Sequence, residues 1–416
     1  MLANDNDSAI NLDAGKSESP EPRPSLTDAH PPPTEPANAD AGKLDTSAPR
    51  SSLTTPHRSP TEPAGAAHAP LTSEEQEAQN QQDQQAFQQA ETSIAVDDFD
   101  DTVSDAGYDS ASLQSASESL RSSVLDFAFE NGRRYHKFRE GIYNFPNEES
   151  EQDREDMKHT MMVKLCQVLH FAPIGDNPQQ ILDMGTGTGI WPMEMGDLFP
   201  SATVLGVDLS PIQPTWVPPN VKFMVDDVES PWLHPPDHFD YVHSRHTVMA
   251  IRNWPKLMRN VYHHLKPGGW YEMQEIYHFP QCHDGTMPHD HPTVRYWDLI
   301  SEGLAALGVD FHKTLSLSDM MRDAGFVNVT ERVFHIPIGM WPQNKVLKIV
   351  GLYWRTILMD GLQPIALGPL TRGLKWKKEQ VDEWLVEVQK AYMDGWVHSH
   401  MPLHIIYGQR PGPGME

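Results

Sequence analysis

An α/β domain with a mostly parallel sheet and helices on both faces is the fold class predicted by this 416-residue chain. Three observations predict it. Short apolar runs alternate with helical segments from Gln180 onward, the first run ends in the glycine-rich turn Gly185-Thr186-Gly187-Thr188-Gly189, and roughly 290 residues follow Val124, enough for one such domain with additions.

QQILDMG (179–185) reads as a strand, IWPMEMGDLFP (190–200) as a helix and ATVLGVDLS (202–210) as a second strand. VKFMVDDV (221–228) and FDYVHSRH (239–246) follow as strands, WPKLMRNVYHHLKPGG (254–269) as a helix closed by a glycine turn, and WYEMQEI (270–276) as a strand. Crossovers of this length join parallel strands. Farther on, 317–339 reads as a helix, a glycine turn and a strand. Residues 345–395 are helical, and MPLHIIYGQRP (401–411) is a last strand. The expected arrangement for 340–400 is a helical insertion before a final edge strand. Ahead of the sheet, Met157, Met161, Leu165, Val168 and Leu169 recur at helical spacing, so 124–175 is expected to be a helical lead-in.

The first 118 residues differ in kind. They are rich in Pro, Ser, Ala, Gln and Asp, and Phe87, Phe99 and Tyr108 are their only aromatic residues. Such a stretch buries too little apolar surface to offset the entropy of ordering it, so residues 1–120 are expected to be a disordered acidic tail. Within it, 74–91 could form a transient polar helix. Residues 97–119 are acidic and Ser-rich, either a solubilising linker or a phosphorylated, partner-binding segment. The tail holds 22 acidic and 5 basic residues, a net −17 of the chain's −26. Acid in that excess argues against direct grip on nucleic acid phosphates or anionic lipid. Two cysteines exclude a disulfide framework. An acidic start without an apolar h-region, and no run of some 18 apolar residues, lead to the expectation of a soluble protein, not secreted and without a membrane span.

The glycine turn points backbone amides at a ligand, and the helix after it adds its dipole. Ile190 stands where the dinucleotide fingerprint needs glycine, and there is no GK[ST] for a phosphate loop. Asp208, some 20 residues on, ends the second strand, where a carboxylate accepts from both ribose hydroxyls. Asp226, Asp227 and Val228 end the next strand, with acceptors for an exocyclic amine and an apolar neighbour for a base. With the KPGG turn, these describe a site for an adenosine bearing no phosphate.

ILDMGTGTG, GVDLS, DDV and LKPGGW resemble the motifs of class I S-adenosylmethionine-dependent methyltransferases. More narrowly, FENGRRYHKFREGIYNFPNEESEQDR with GTGTGIW and GVDLSPIQPTWVPPN resembles the fungal LaeA-like methyltransferases, which include regulators of secondary metabolism. The resemblance covers 120–416 and leaves the tail out. It implies a Rossmann-like class I methyltransferase sheet with an N-terminal helical lid and a helical insertion before the last strand. The parts would be a lid at 121–175, a core at 176–280, an acceptor and helical region at 281–400 and a final strand at 401–410. It implies S-adenosyl-L-methionine as cofactor, with Asp183, Gly185, Thr186, Gly187 and Gly189 at the methionine end, Asp208 at the ribose, and Asp227 with Val228 at the adenine. Trp191 and Trp216 would line the pocket. Tyr135, Arg139 and Tyr143 would fold over the cofactor, although read as residues alone the aromatics serve equally as packing for the first helices. The implied partners are a small-molecule or protein methyl acceptor and, in the alternative role of a regulatory subunit, velvet-type proteins of a nuclear complex; the implied location is nucleus or cytoplasm.

No single general base is legible. His243 and His246, after the fourth strand, and Tyr143 are candidates, and the two histidines are equally plausible as structural residues. A thioether acceptor would need no base. Cys282, His283, Asp284, His289, Asp290 and His291 crowd one loop, 281–297, but match no common zinc spacing. The expectation is no metal, with acceptor contact or plain surface as the readings left. Arg372, Lys375, Lys377 and Lys378 read as a solvated helix start rather than a nuclear signal. Pro192 falls harmlessly in a first helical turn, and Gly196 is a mild weakness in a helix interior.

Overall fold

The computed structural model describes residues 72–97, 127–139 and 143–414. The first described element is α1 (Ser73–Glu91), started by a capping box in which the Thr72 hydroxyl accepts from the Glu75 amide and the Glu75 carboxylate accepts from the Thr72 amide. This helix corrects the expectation that 72–97 belongs to a tail without fixed structure. Ala86, Phe87 and Ala90 fall on one face and pack into the core while Ala78 is exposed, and Glu91 accepts two hydrogen bonds from Arg332 at 2.7 and 2.9 Å. The sequence marked 74–91 as a transient polar helix but not its docking, because partners such as Arg332 and Phe334 lie more than 240 residues away. The rest of the expected tail lies outside the described residues.

A hairpin follows, β1 (Phe127–Glu130) and β2 (Arg133–His136), where a helical lead-in was expected. Asn131 and Gly132 make its turn with φ of 53° and 80°, the paired left-handed conformation that Asn-Gly favours. Helix α2 (Glu149–Cys166) supplies the expected helical part and ends at Gln167, φ 59°.

The sheet then forms from β3 (Gln180–Met184), β4 (Thr203–Asp208), β5 (Val221–Val225), β6 (Phe239–Arg245) and β7 (Leu265–Ile276), all parallel, joined by α3 (Ile190–Leu198) and α4 (Trp254–His264) among the connections. After it come α5 (Pro292–Ala306), which takes residues 292–297 out of the expected loop, α6 (Leu317–Asp323), β8 (Val327–Pro337), α7 (Lys345–Leu367), a π-helical turn (Gly368–Gly373), α8 (Lys378–Tyr392) and β9 (His400–Gln409). The sheet order is β5-β4-β3-β6-β7-β9-β8. The last strand is therefore not an edge strand. It enters antiparallel between β7 and β8 and hydrogen-bonds to both, so β8, formed earlier, is the edge. Helices cover both faces, with one buried cluster around Trp191, Met195 and Phe199 and a larger one around α2, α4, α5 and α7.

Gly196 corrects its reading as a weakness. A Cβ there would lie 2.5 Å from Cγ2 of Val221, so glycine is what lets α3 settle against the start of β5. Among the described residues no helix is long and apolar enough to cross a membrane.

Candidate cofactor and acceptor cleft

Strands are added toward one edge from β3 through β4 to β5 and toward the other from β6, so the order switches between β3 and β6, and a crevice opens at the carboxyl ends of these strands, the place where parallel sheets hold ligands. Gly185, Gly187 and Gly189 carry φ of 70°, 57° and 84° there. Gly189 begins α3, and a Cβ on it would sit 2.4 Å from the Phe223 ring, so the turn admits no larger residue. The amides of Gly185 and Thr186 both donate to the Val207 carbonyl, at 2.8 and 3.0 Å, which binds the turn to β4.

Asp208 faces this crevice. Its carboxylate accepts from the Gly187 amide at 2.9 Å and the Ser210 amide at 2.8 Å, and burial pushes its pKa up against those two bonds. Asp226, Asp227 and Val228 line the crevice next to it. Asp227 accepts from the Glu229 amide at 2.8 Å and pairs with Arg139 from the segment after β2. On the opposite wall α2 contributes Glu151, Arg154, Glu155 and Lys158, an alternating ion-pair ladder. Burial opposes the charge on Arg154, but Glu151 and Glu155 outweigh it and raise its pKa. Asp156, also on α2, accepts from the Thr188 hydroxyl at 2.6 Å, and Asn147 reaches Ser210 at 3.3 Å. The lead-in thus touches both the glycine turn and the end of β4.

The crevice continues into an apolar chamber walled by Tyr143, Met249, Trp354, Leu358 and Ile365. His246 stands at that junction with φ 56° and no hydrogen-bond partner for either ring nitrogen. Burial, then the nearby Lys158 and Arg245 charges, drive its pKa well below the ordinary histidine value, so it is a neutral base at neutral pH. The residues after it are held by Glu275, which accepts from the Thr247 amide and hydroxyl and the Val248 amide at 2.7 to 3.1 Å; burial pushes Glu275 up to about 7. His278 also faces the chamber, its pKa brought down to about 3 by burial. Neither Glu275 nor His278 was singled out in the sequence. Glu275 is the middle residue of QEI at the end of β7 and His278 lies two residues past it; the strand end is buried on both faces, so no local alternation marks either.

Several expected site residues stand elsewhere. Asp183 lies off the main chamber, in the wall of a smaller recess that adjoins it at Gly185, Gly187 and Thr188: one oxygen accepts from the Thr186 hydroxyl at 2.6 Å and the other meets Nδ1 of His243 at 2.7 Å, so it also braces the glycine turn. His243 is fully buried and stacked on Trp191, with ring centroids 3.8 Å apart, which makes it a structural partner of that brace. Trp216 is 92% exposed and lines nothing. Tyr135 is buried in the hairpin beneath the Arg372 guanidinium, 4.8 Å from its ring, and is absent from the crevice wall, whereas Tyr143 lies in it. Arg372 also pairs with Glu130 and Lys378 with Asp382, so the basic patch is partly used in packing.

The methyltransferase domain family matches residues 157–331, which hold the glycine turn and the strand ends of this crevice but not its wall from the first part of α2 or from α7. The chain is 38% identical to methyltransferase pytC of Aspergillus terreus over 73% of its length and 94% of that protein's. It is 37% identical to secondary metabolism regulator LAE1 of Cochliobolus heterostrophus over 68% of this chain and 94% of that one. It is 32% identical to protein-methionine methyltransferase laeA of Emericella nidulans over 68% of this chain and 77% of that one.

Proposed function

This chain belongs to the LaeA-like family of S-adenosylmethionine-dependent methyltransferases, and on that premise we propose how its crevice divides the work between donor and acceptor. The cofactor supplies an electrophilic methyl on a sulfonium. The crevice suits it: the glycine turn leaves backbone room, Asp208 retains lone pairs for a ribose diol, and Asp227 with Val228 offers an acceptor and an apolar contact beside it. A net-acidic rim favours a cation over a nucleotide phosphate.

The acceptor occupies the apolar chamber, as a small molecule or a single inserted side chain. His246 takes the acceptor's proton where there is one to take. Alignment and exclusion of water do the rest, which α2, Tyr143 and the Arg139 contact to Asp227 supply by closing over the crevice. The observation that carries this reading is the placement of Asp208, the glycine turn and the unpartnered His246 on one continuous cavity.

A regulatory role in fungal secondary metabolism through velvet-type protein partners, in the nucleus or cytoplasm, is the second reading; the regulatory part is favoured by the name of one relative above, secondary metabolism regulator LAE1. Transfer of labelled methyl from S-adenosylmethionine into extract fractions separates the two. Label entering a small molecule or protein with wild type but not with Gly187→Ala supports the enzyme. No transfer to any fraction, with partner pull-down equal for wild type and variant, refutes it.

A further inference from the structure

His283, in the loop after β7, comes together with His335 of β8 and His400 at the start of β9. One ring nitrogen from each lies within 4.8 Å of the other two. The ring centroids of His400 are 4.5 Å from His283 and 4.6 Å from His335. The three span more than a hundred residues of sequence, which is why no spacing rule within the 281–297 loop points to them. Its other metal-type residues are occupied elsewhere or turned away: Asp284 accepts from His398, Thr286 and Cys282, and Nδ1 of His291 is bonded to the Thr293 hydroxyl.

Two of the histidines are prepared as ligands. Nδ1 of His335 lies 3.1 Å from the Ala90 carbonyl, which can only accept, so Nδ1 carries the proton and the Nε2 lone pair is free. A backbone carbonyl behind the second nitrogen is the usual way that a metal-binding imidazole is oriented. His400 is 3% exposed and its Nε2 has no hydrogen-bond partner. A buried nitrogen without a partner calls for an explanation. Burial and the neighbouring imidazoles lower the pKa values of both, to about 3 for His400, so both are neutral and able to donate a lone pair.

We propose that His283, His335 and His400 bind a divalent transition-metal ion of the Zn²⁺ type, a site separate from the methyl-transfer crevice. Imidazole suits Zn²⁺, Cu²⁺ and Ni²⁺ rather than the hard cations. Zn–N bonds of roughly 2.0–2.1 Å put ligand nitrogens about 3.3 Å apart, so modest side-chain rotation closes the set. None of the three lines the crevice. The backbones of Gln281 and His400 already exchange hydrogen bonds at 2.8 and 2.9 Å, which fixes the loop next to β9. Metal on the three rings ties together the 281–291 loop, the two outer strands and, through the Ala90 carbonyl, helix α1. A fourth coordination position stays open to water or another ligand.

The test uses full-length, untagged protein stripped with chelator and titrated with Co²⁺, read by its visible ligand-field absorption and displaced by Zn²⁺. His283 is exposed, so His283→Ala removes a ligand without emptying the core; His289→Ala, in the same loop, is the control. Wild type and His289→Ala are expected to take up one equivalent, His283→Ala to bind at least about tenfold more weakly, and Zn²⁺ to raise the melting temperature of wild type alone among wild type and His283→Ala. Absence of stoichiometric uptake by wild type, or equal affinity in His283→Ala, overturns the site.

Discussion

Asp183 and His243 face each other across neighbouring strands β3 and β6, joined at 2.7 Å, with both side chains buried. The second oxygen of Asp183 takes the Thr186 hydroxyl, so the carboxylate holds strand, turn and the Trp191 stack in one unit. Asp183→Ala is therefore expected to destabilise the ligand-free protein by about 3 kcal/mol, the order of two hydrogen bonds to a buried charge. Chemical denaturation measures this; an unchanged midpoint would return Asp183 to direct cofactor contact.

His246→Gln is expected to lower kcat by about 10²-fold or more for an acceptor that must lose a proton, with the dissociation constant for S-adenosylmethionine little altered. Because its pKa is depressed well below the ordinary value, wild-type kcat should not fall between pH 8 and pH 6 through loss of the base form. A full kcat in the variant removes His246 as base and favours a thioether acceptor.

Buried neutral histidines also set the acid stability. His159 and His278 have pKa values near 3 in the fold, lowered chiefly by burial, against about 6.5 unfolded. Between those limits the unfolded chain binds more protons, so stability is lost as pH falls below about 6.5. Glu275, raised to about 7, acts in the opposite sense between pH 7 and its unfolded value but is outnumbered. The melting temperature should be lower at pH 5 than at pH 7; a flat or rising value would mean that these histidines are not buried neutral.

Gly196→Ala distinguishes packing from propensity. Helix propensity alone predicts a gain of about 1 kcal/mol, but the added carbon would meet Val221 at 2.5 Å. A loss of about 1–3 kcal/mol in urea unfolding is expected; a gain would show that α3 shifts freely.

The parallel strands and the glycine turn were legible because local pattern decides them: the strands read at 179–185, 202–210 and 221–228 form at Gln180–Met184, Thr203–Asp208 and Val221–Val225. What escaped depends on distant partners. Helix α1 was legible as a polar helix but its docking onto Phe334, Arg332 and His335 was not, β9 is internal because β8 pairs with its far side, and Trp216 gave no sign in sequence of its exposure. The hairpin at 127–136 did carry a local sign, Asn131-Gly132, which a helical reading of the lead-in passed over. At the site, residue types marked the crevice, but only geometry shows Asp208 facing the main chamber and Asp183 tied to Thr186 and His243 at the adjoining recess.

The most direct test of the crevice as the cofactor site is the thermal shift produced by S-adenosylmethionine on wild type and on Asp208→Ala, with circular dichroism confirming that both fold. At about a hundredfold excess over the dissociation constant the ligand contributes about 2.7 kcal/mol, so the wild-type melting temperature should rise by several degrees while the variant's stays where it was. Equal shifts in the two proteins would contradict the assignment of Asp208 to the ribose and, with it, the placement of the cofactor.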